Sequence, residues 1–249
     1  MCKMLFLKSP IRSMKIKTHN IVVKKFGYKI AYGVFKEMKL SSNPWWGYFD
    51  TTSKILGEYE KTVCLKIHKI LKNNKMPFID IGAADGFYAV GVARSGLSEK
   101  TYAFEISPRG RESIKLNARL NGCIKKLIIK KEANYLSLKK IIDKNKSCLV
   151  LIDIEGSEYE LLSNKILKLL RHCELIIESH PHHVSNGKKM EQELISRSKK
   201  FFNSSIIERG PYNPNKFKIL ADLTDDERLL SLSEGRLKNP KWLYFKPYI

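Results

Sequence analysis

The sequence predicts an α/β protein built on an open, doubly wound sheet of seven strands, with a basic N-terminal extension ahead of it. Three observations carry this reading. After Lys75, short apolar runs alternate with stretches of helical periodicity, which is the texture of a βαβ series. The run Cys148-Leu149-Val150-Leu151-Ile152 is apolar without interruption, as a strand covered on both faces must be. Successive runs also end in an acidic residue, at Asp80, Glu105, Asp153 and Glu178.

Residues 1–40 mix short apolar groups with lysines and read as short strands or a loosely held cap. Ser41 to Gly47 is a turn, because Pro44 forces extended geometry on Asn43. From Tyr59 to Leu71, Val63, Ile67, Ile70 and Leu71 recur at helical spacing, and Asn73-Asn74 closes that helix. Strands follow at 77–81, 100–104, 127–131, 148–153, 174–178, 205–208 and 242–245. Helices are expected near 86–95, 108–120, 136–144, 157–171 and 187–202. The long connection 210–240 carries Gly210-Pro211-Tyr212-Asn213-Pro214, a turn or lid. The domain division is an extension or cap over 1–56 and one α/β domain over 57–249.

The 249 residues suffice for one such domain, and 43% apolar composition is that of a folded protein. No stretch approaches the roughly 18 apolar residues of a membrane span. The basic N-terminus has too short an apolar segment for a secretory signal, so the expected location is cytoplasmic. Five scattered cysteines without Cys-x-x-Cys spacing exclude zinc-ribbon and thioredoxin chemistry and suit buried thiols. Net charge is +21, and residues 1–76 hold 16 Lys+Arg against 4 Asp+Glu. Such an excess suits an anionic partner (nucleic acid, a phosphorylated glycan or a lipid surface) or a solvated lysine-rich surface. Oligomeric state is not encoded in any readable pattern.

Chemistry concentrates after the first strand, in Asp80, Gly82, Ala83, Ala84, Asp85 and Gly86. A glycine loop running into a helix lets the backbone approach a ligand. A pyrophosphate loop reads Gly-x-Gly-x-x-Gly; here Ala83 and Ala84 fill the interior, and Asp85 would repel phosphate while welcoming an ammonium or sulfonium. The charge favours S-adenosylmethionine over NAD. Nineteen residues beyond Gly86, Glu105 is set to accept ribose hydroxyls. Ile106 beside it, and Glu132 past the third strand, complete the expected cofactor contacts.

The fourth strand delivers Asp153 and Glu155 to the edge where open α/β sheets place their sites, with Ser157 suited to capping the next helix and Glu158 to complementing its dipole. The fifth ends Glu178-Ser179-His180-Pro181-His182-His183. His180 and Asp153, with Glu178, are the catalytic candidates for removing a hydroxyl proton. Asp153, Glu178 and His180 could instead ligate a divalent metal, although none is expected; a plain polar loop is the third option.

The series FIDIGAADGFYAVGVA, TYAFEISP, NARLNG, LVLIDIEGSEYELL and LIIESH resembles the FkbM-type methyltransferases of the class I superfamily, over roughly residues 57–183. Its most specific element is Asp-x-Glu-Gly-x-Glu, here Asp153, Glu155, Gly156 and Glu158. The resemblance implies a Rossmann-like methyltransferase sheet, S-adenosylmethionine bound by Asp80, Gly82 and Glu105, and methyl transfer to an oxygen, commonly a sugar or polyketide hydroxyl. It also implies that Gly57-Glu58-Tyr59-Glu60 is a lead-in helix closing over the cofactor, with Tyr59 in contact, and that 226–245 loosely closes the sheet.

The reading that follows is an S-adenosylmethionine-dependent O-methyltransferase acting on a sugar or glycan hydroxyl. The principal alternative is an RNA or other nucleic-acid methyltransferase using the basic surface. An Asn/Asp-Pro-Pro-aromatic loop, typical of base N-methylation, is missing after the fourth strand, but ribose methylation is also oxygen chemistry. A module that has lost turnover, and an NAD-dependent oxidoreductase, are the remaining rivals.

Overall fold

A computed structural model describes residues 9–234, 236 and 241–248. The chain divides into two compact units, 1–61 with 209–237, and 62–208 with 238–249. The long connection expected as a lid after the sixth strand therefore belongs with the N-terminal residues, not with the sheet.

The first unit holds helices α1 (Pro10–Phe26), α2 (Thr51–Ile55) and α10 (Asp225–Leu232). Val22, Ile55, Leu56, Phe217, Leu220 and Leu232 make its core. The expectation of short strands over 1–40 is corrected for the described part. Residues 10–26 are one helix, and the only antiparallel bridge among the described residues of this stretch joins Lys29 to Lys39. The β-branched run Ile21-Val22-Val23 reads as strand, and two of the three buried helix positions, Thr18 and His19, are polar, which hides the helical stripe. The boundary signals were present: Pro10 sits at the first helical position and Gly27 ends the helix at φ 64°. In α10, Thr224 and Glu227 form a reciprocal capping box.

The second unit is the sheet with its helices. Strands β1 (Phe78–Ile81), β2 (Thr101–Phe104), β3 (Leu127–Lys130), β4 (Leu149–Ile152), β5 (Glu174–Ser179), β6 (Phe202–Ile207) and β7 (Lys241–Pro247) lie in the order β3-β2-β1-β4-β5-β7-β6. The first five are parallel; β7 runs antiparallel between β5 and β6. The order reverses between β1 and β4, the switch point where such sheets bind ligands. Helices α3 (Lys61–Asn73), α4 (Phe87–Ser95), α5 (Pro108–Leu120), α6 (Tyr135–Asn145), α7 (Glu158–Leu161), α8 (Asn164–Leu169) and α9 (Gly187–Ser198) complete it. Every residue of β1 and of β4 is buried. Cys64, Cys123, Cys148 and Cys173 are buried thiols; Cys2 lies outside the described residues.

Three expectations change. The helix over 157–171 is broken at Leu162-Ser163 into α7 and α8, since Ser163 starts a new helix in extended geometry. Gly57–Glu60 is a turn, not a lead-in helix, because Gly57 and Glu60 have φ of 69° and 42°. The sixth strand begins three residues early, at Phe202, because pairing with β7 runs back to Phe202↔Pro247. Among the described residues no helix is long and apolar enough to cross a membrane.

Candidate functional site

Register assembles the site. Phe104, Ile81, Ile152 and Ile177 are aligned across β2, β1, β4 and β5, so Glu105, Gly82, Asp153 and Glu178 follow on one level, the first three just past their strands and Glu178 still paired with Trp242 of β7. In-register parallel strands therefore bring Glu105, Asp153 and Glu178 to one level, with Asp80 two residues deeper in β1 beneath Gly82.

At the tip of β1, Asp80 is 1% exposed and accepts the Ala89 N–H of α4 at 3.0 Å. Its carboxyl is pushed up to about 8, first by burial, with the Ala89 N–H opposing, and then by repulsion from Asp153, Glu105 and Asp85. The four carboxylates thus share one neighbourhood. Glu105 is buried and braces the loop: its oxygens accept N–H groups from Ala84 at 2.9 Å and Ser107 at 2.7 Å. Asp85 is buried, and its backbone carbonyl accepts the Asn117 side-chain amide at 2.8 Å.

The glycines of the loop serve the protein's own packing. A Cβ on Gly82, at φ 88°, would overlap the Asp153 carbonyl oxygen of the β4 loop. A Cβ on Gly86, at φ 85°, would press on Val90 and Ile114. Sequence reasoning assigns these glycines to ligand approach; Gly82 is what lets the β1 and β4 tips meet. Ala83 is buried beside it. Ala84 and Glu155 hold φ of 49° and 54° without being glycine, as Glu37, Glu60, Lys146 and Asn186 do elsewhere among the described residues.

At the tips of β4 and β5 the side chains of Asp153, Glu155, Glu158 and Glu178 surround His180. Its Nε2 lies 3.6 Å from Asp153 and 3.8 Å from both Glu155 and Glu178. Its Nδ1 lies 3.3 Å from Glu158, which also accepts the His180 N–H at 2.7 Å and the Gly156 N–H at 2.8 Å. Burial is the largest influence on both partners and opposes their charges, yet contact wins: Glu158 is held below the usual carboxylate range, and His180 is raised. A carboxylate only accepts, so Nδ1 carries the proton toward Glu158 and Nε2 faces the other three acids. His183 stacks on His180 at 5.0 Å and meets Glu155 at 2.9 Å.

Ser157 stands at the N-cap of α7 but makes no side-chain cap, which corrects that expectation, while Glu158 lies in the first turn as expected of a dipole partner and also holds His180. Glu158 is the residue of this cluster that sequence reasoning leaves out of the candidate site, although it is the last acid of Asp-x-Glu-Gly-x-Glu. Ile106 is 72% exposed and its carbonyl is held by Arg111. Glu132 is exposed, its carbonyl accepting the Ser137 hydroxyl. Tyr59 belongs to the other unit, where the Lys54 ammonium lies 4.9 Å over its ring.

No protein-family model and no curated protein matches the chain. Among solved structures it is similar to an rRNA methylase from Streptococcus thermophilus, at 13% identity over 74% of this chain and 94% of that one, TM-score 0.44. A SAM-dependent O-methyltransferase from Thermotoga maritima is similar at 15% identity, over 73% and 63%, TM-score 0.45. The tRNA methyltransferase TrmK of B. subtilis is similar at 12% identity, over 73% and 62%, TM-score 0.44.

Proposed function

We propose that the protein is an S-adenosylmethionine-dependent O-methyltransferase acting on a hydroxyl, of a sugar or glycan by preference. The observation that carries this is the acidic cluster at the switch point: Asp80, buried and held by the Ala89 N–H of α4, with Glu105, Asp85 and Asp153 close enough to repel it. Ionised, such a buried set of like charges is unfavourable without a cation, and in its absence Asp80 keeps its proton. S-adenosylmethionine fits, since its sulfonium and ammonium are both positive and an acidic group at β2 suits its ribose. An NAD pyrophosphate does not fit that field.

When bound, S-adenosylmethionine supplies an electrophilic methyl group: the S–CH3 bond breaks as the O–CH3 bond forms, and a neutral thioether leaves. The chain's own part is orientation and proton removal. Glu105 holds the β1 loop through Ala84, and Gly82 brings that loop against the β4 tip. His180, held by Glu158, or Asp153 beside it takes the hydroxyl proton, with Glu178 behind them. A base so placed contributes about 10²–10⁴-fold.

Calorimetry should show S-adenosylmethionine and S-adenosylhomocysteine binding, with NAD silent. With an acceptor found by methyl-transfer screening of glycan, lipid-linked sugar and RNA pools, His180→Ala and Asp153→Ala should each lose about 10²–10⁴ in kcat. No binding of the methyl donor at millimolar concentration ends this reading. Wild-type turnover in both variants removes only the assignment of the proton acceptor.

A further inference from the structure

We infer that Asp153, Glu178 and His180 form a site for a divalent cation of the Mn2+ or Mg2+ kind, placed at the tips of β4 and β5. In its chemical role this rests on the methyltransferase reading; in its binding it does not. One ligand atom from each of the three residues lies within 4.8 Å of the other two. Nε2 of His180 is 3.6 Å from Asp153 and 3.8 Å from Glu178. Ligands about 2.1 Å from an octahedral ion stand about 3.0 Å apart when adjacent and about 4.2 Å when opposite. The two His180 spacings fall between these and the whole set lies within 4.8 Å, so a cation would draw the side chains inward.

The outer shell points the same way. Metal-ligating histidines donate their second ring N–H to a carboxylate, which fixes the tautomer and turns the other nitrogen to the ion. Glu158 is fully buried, and it holds both Nδ1 and the backbone N–H of His180. That leaves Nε2 directed at carboxylates arriving from two different strands. Two carboxylates and one imidazole make a mainly hard donor set, suited to Mn2+ or Mg2+ more than to a thiolate-seeking ion.

Three protein ligands leave coordination positions for water and an acceptor hydroxyl. With a cation bound, His180 and Asp153 would act as ligands instead of as proton acceptors, and the Glu155–His183 pair, whose atoms meet at 2.9 Å, would receive the proton of that hydroxyl. One methyl group and one proton then change place, with no oxidant or reductant required.

The test is a Mn2+ titration of the full chain after chelator treatment, read by loss of the free-ion paramagnetic resonance signal and by calorimetry. One ion should bind per chain. His180→Ala and Glu178→Gln should each weaken binding at least tenfold, Glu158→Gln less than tenfold, and Lys139→Ala not at all. Far-ultraviolet circular dichroism and S-adenosylmethionine titration of the same samples check folding and the cofactor cradle independently. No Mn2+ bound at millimolar concentration, or equal binding by the wild type and folded His180→Ala, overturns the site. If the methyl donor binds in that case, the methyltransferase reading stands without it.

Discussion

The two ends of the same sheet carry opposite charge. At the C-terminal tips of β1, β2, β4 and β5 stand Asp80, Asp85, Glu105, Asp153 and Glu178, answered by His180. At the N-terminal ends of β1, β2 and β3, Lys75, Lys100, Lys125 and Lys126, with Glu99 among them, line an open cavity of about 490 Å³. Only about 13 Å of strand separates these ends. Parallel strands make the separation possible, because every strand delivers its last residue to the same side. One sheet can therefore grip a cation at one edge and face an anion at the other, and a single net charge of +21 describes neither.

The largest effect that would break this comparison comes from Gly82. Gly82→Ala drives a Cβ into the Asp153 carbonyl, and separating the β1 and β4 tips should cost on the order of 4 kcal/mol. Denaturant unfolding measures it; a loss below about 1 kcal/mol would mean that the two tips do not depend on their close approach.

A smaller effect follows from Asp80. Its folded-state pKa of about 8 lies above the ordinary 3.8, so between those values the folded chain keeps a proton that the unfolded chain has released. Stability contributed by that proton is lost as pH rises through this window to about 8. A cationic ligand favours the ionised carboxylate, so methyl-donor binding at neutral pH should release a proton and tighten as pH rises toward 8. Calorimetry in buffers of different ionisation enthalpy reads the proton directly. Proton uptake would contradict the acidic cradle.

The smallest effect tests the independence of the two ends. Lys125→Glu with Lys126→Glu should change methyl-donor affinity less than about twofold, because charges further apart than the Debye length of about 8 Å are largely screened. If the cavity contacts a polyanion, the same variant should flatten the salt dependence of RNA binding. A large change in donor affinity would show that the ends are electrically coupled.

Much of this site is legible in the amino-acid sequence. Asp80, Glu105, Asp153 and Glu178 each close an apolar run, and the alternation of runs and helices places those ends together. The turn of Ser163 that breaks α7 from α8 is legible too, as a serine inside the helical stretch, yet the apolar periodicity around it outweighs it. Helix α1 is hidden for the opposite reason: its buried Thr18 and His19 supply no apolar rhythm. Glu158 reads as a helix-dipole partner because nothing in local spacing says that residue 180 folds back beside it.

The succession of strands and helices along the chain, the acids Asp80, Glu105, Asp153 and Glu178 at four of the runs and the glycine after Asp80 belong to the sequence alone, because they follow from local periodicity and residue chemistry. Tertiary structure decided what those groups do to one another. Only packing brings the Asp153 carbonyl over Gly82, raises Asp80 by burying it and then by setting like charge around it, and pins His180 on Glu158. It also assigns 209–237 to the N-terminal unit. Each is a relation between residues far apart along the chain, and such relations exist only once the backbone has closed on itself.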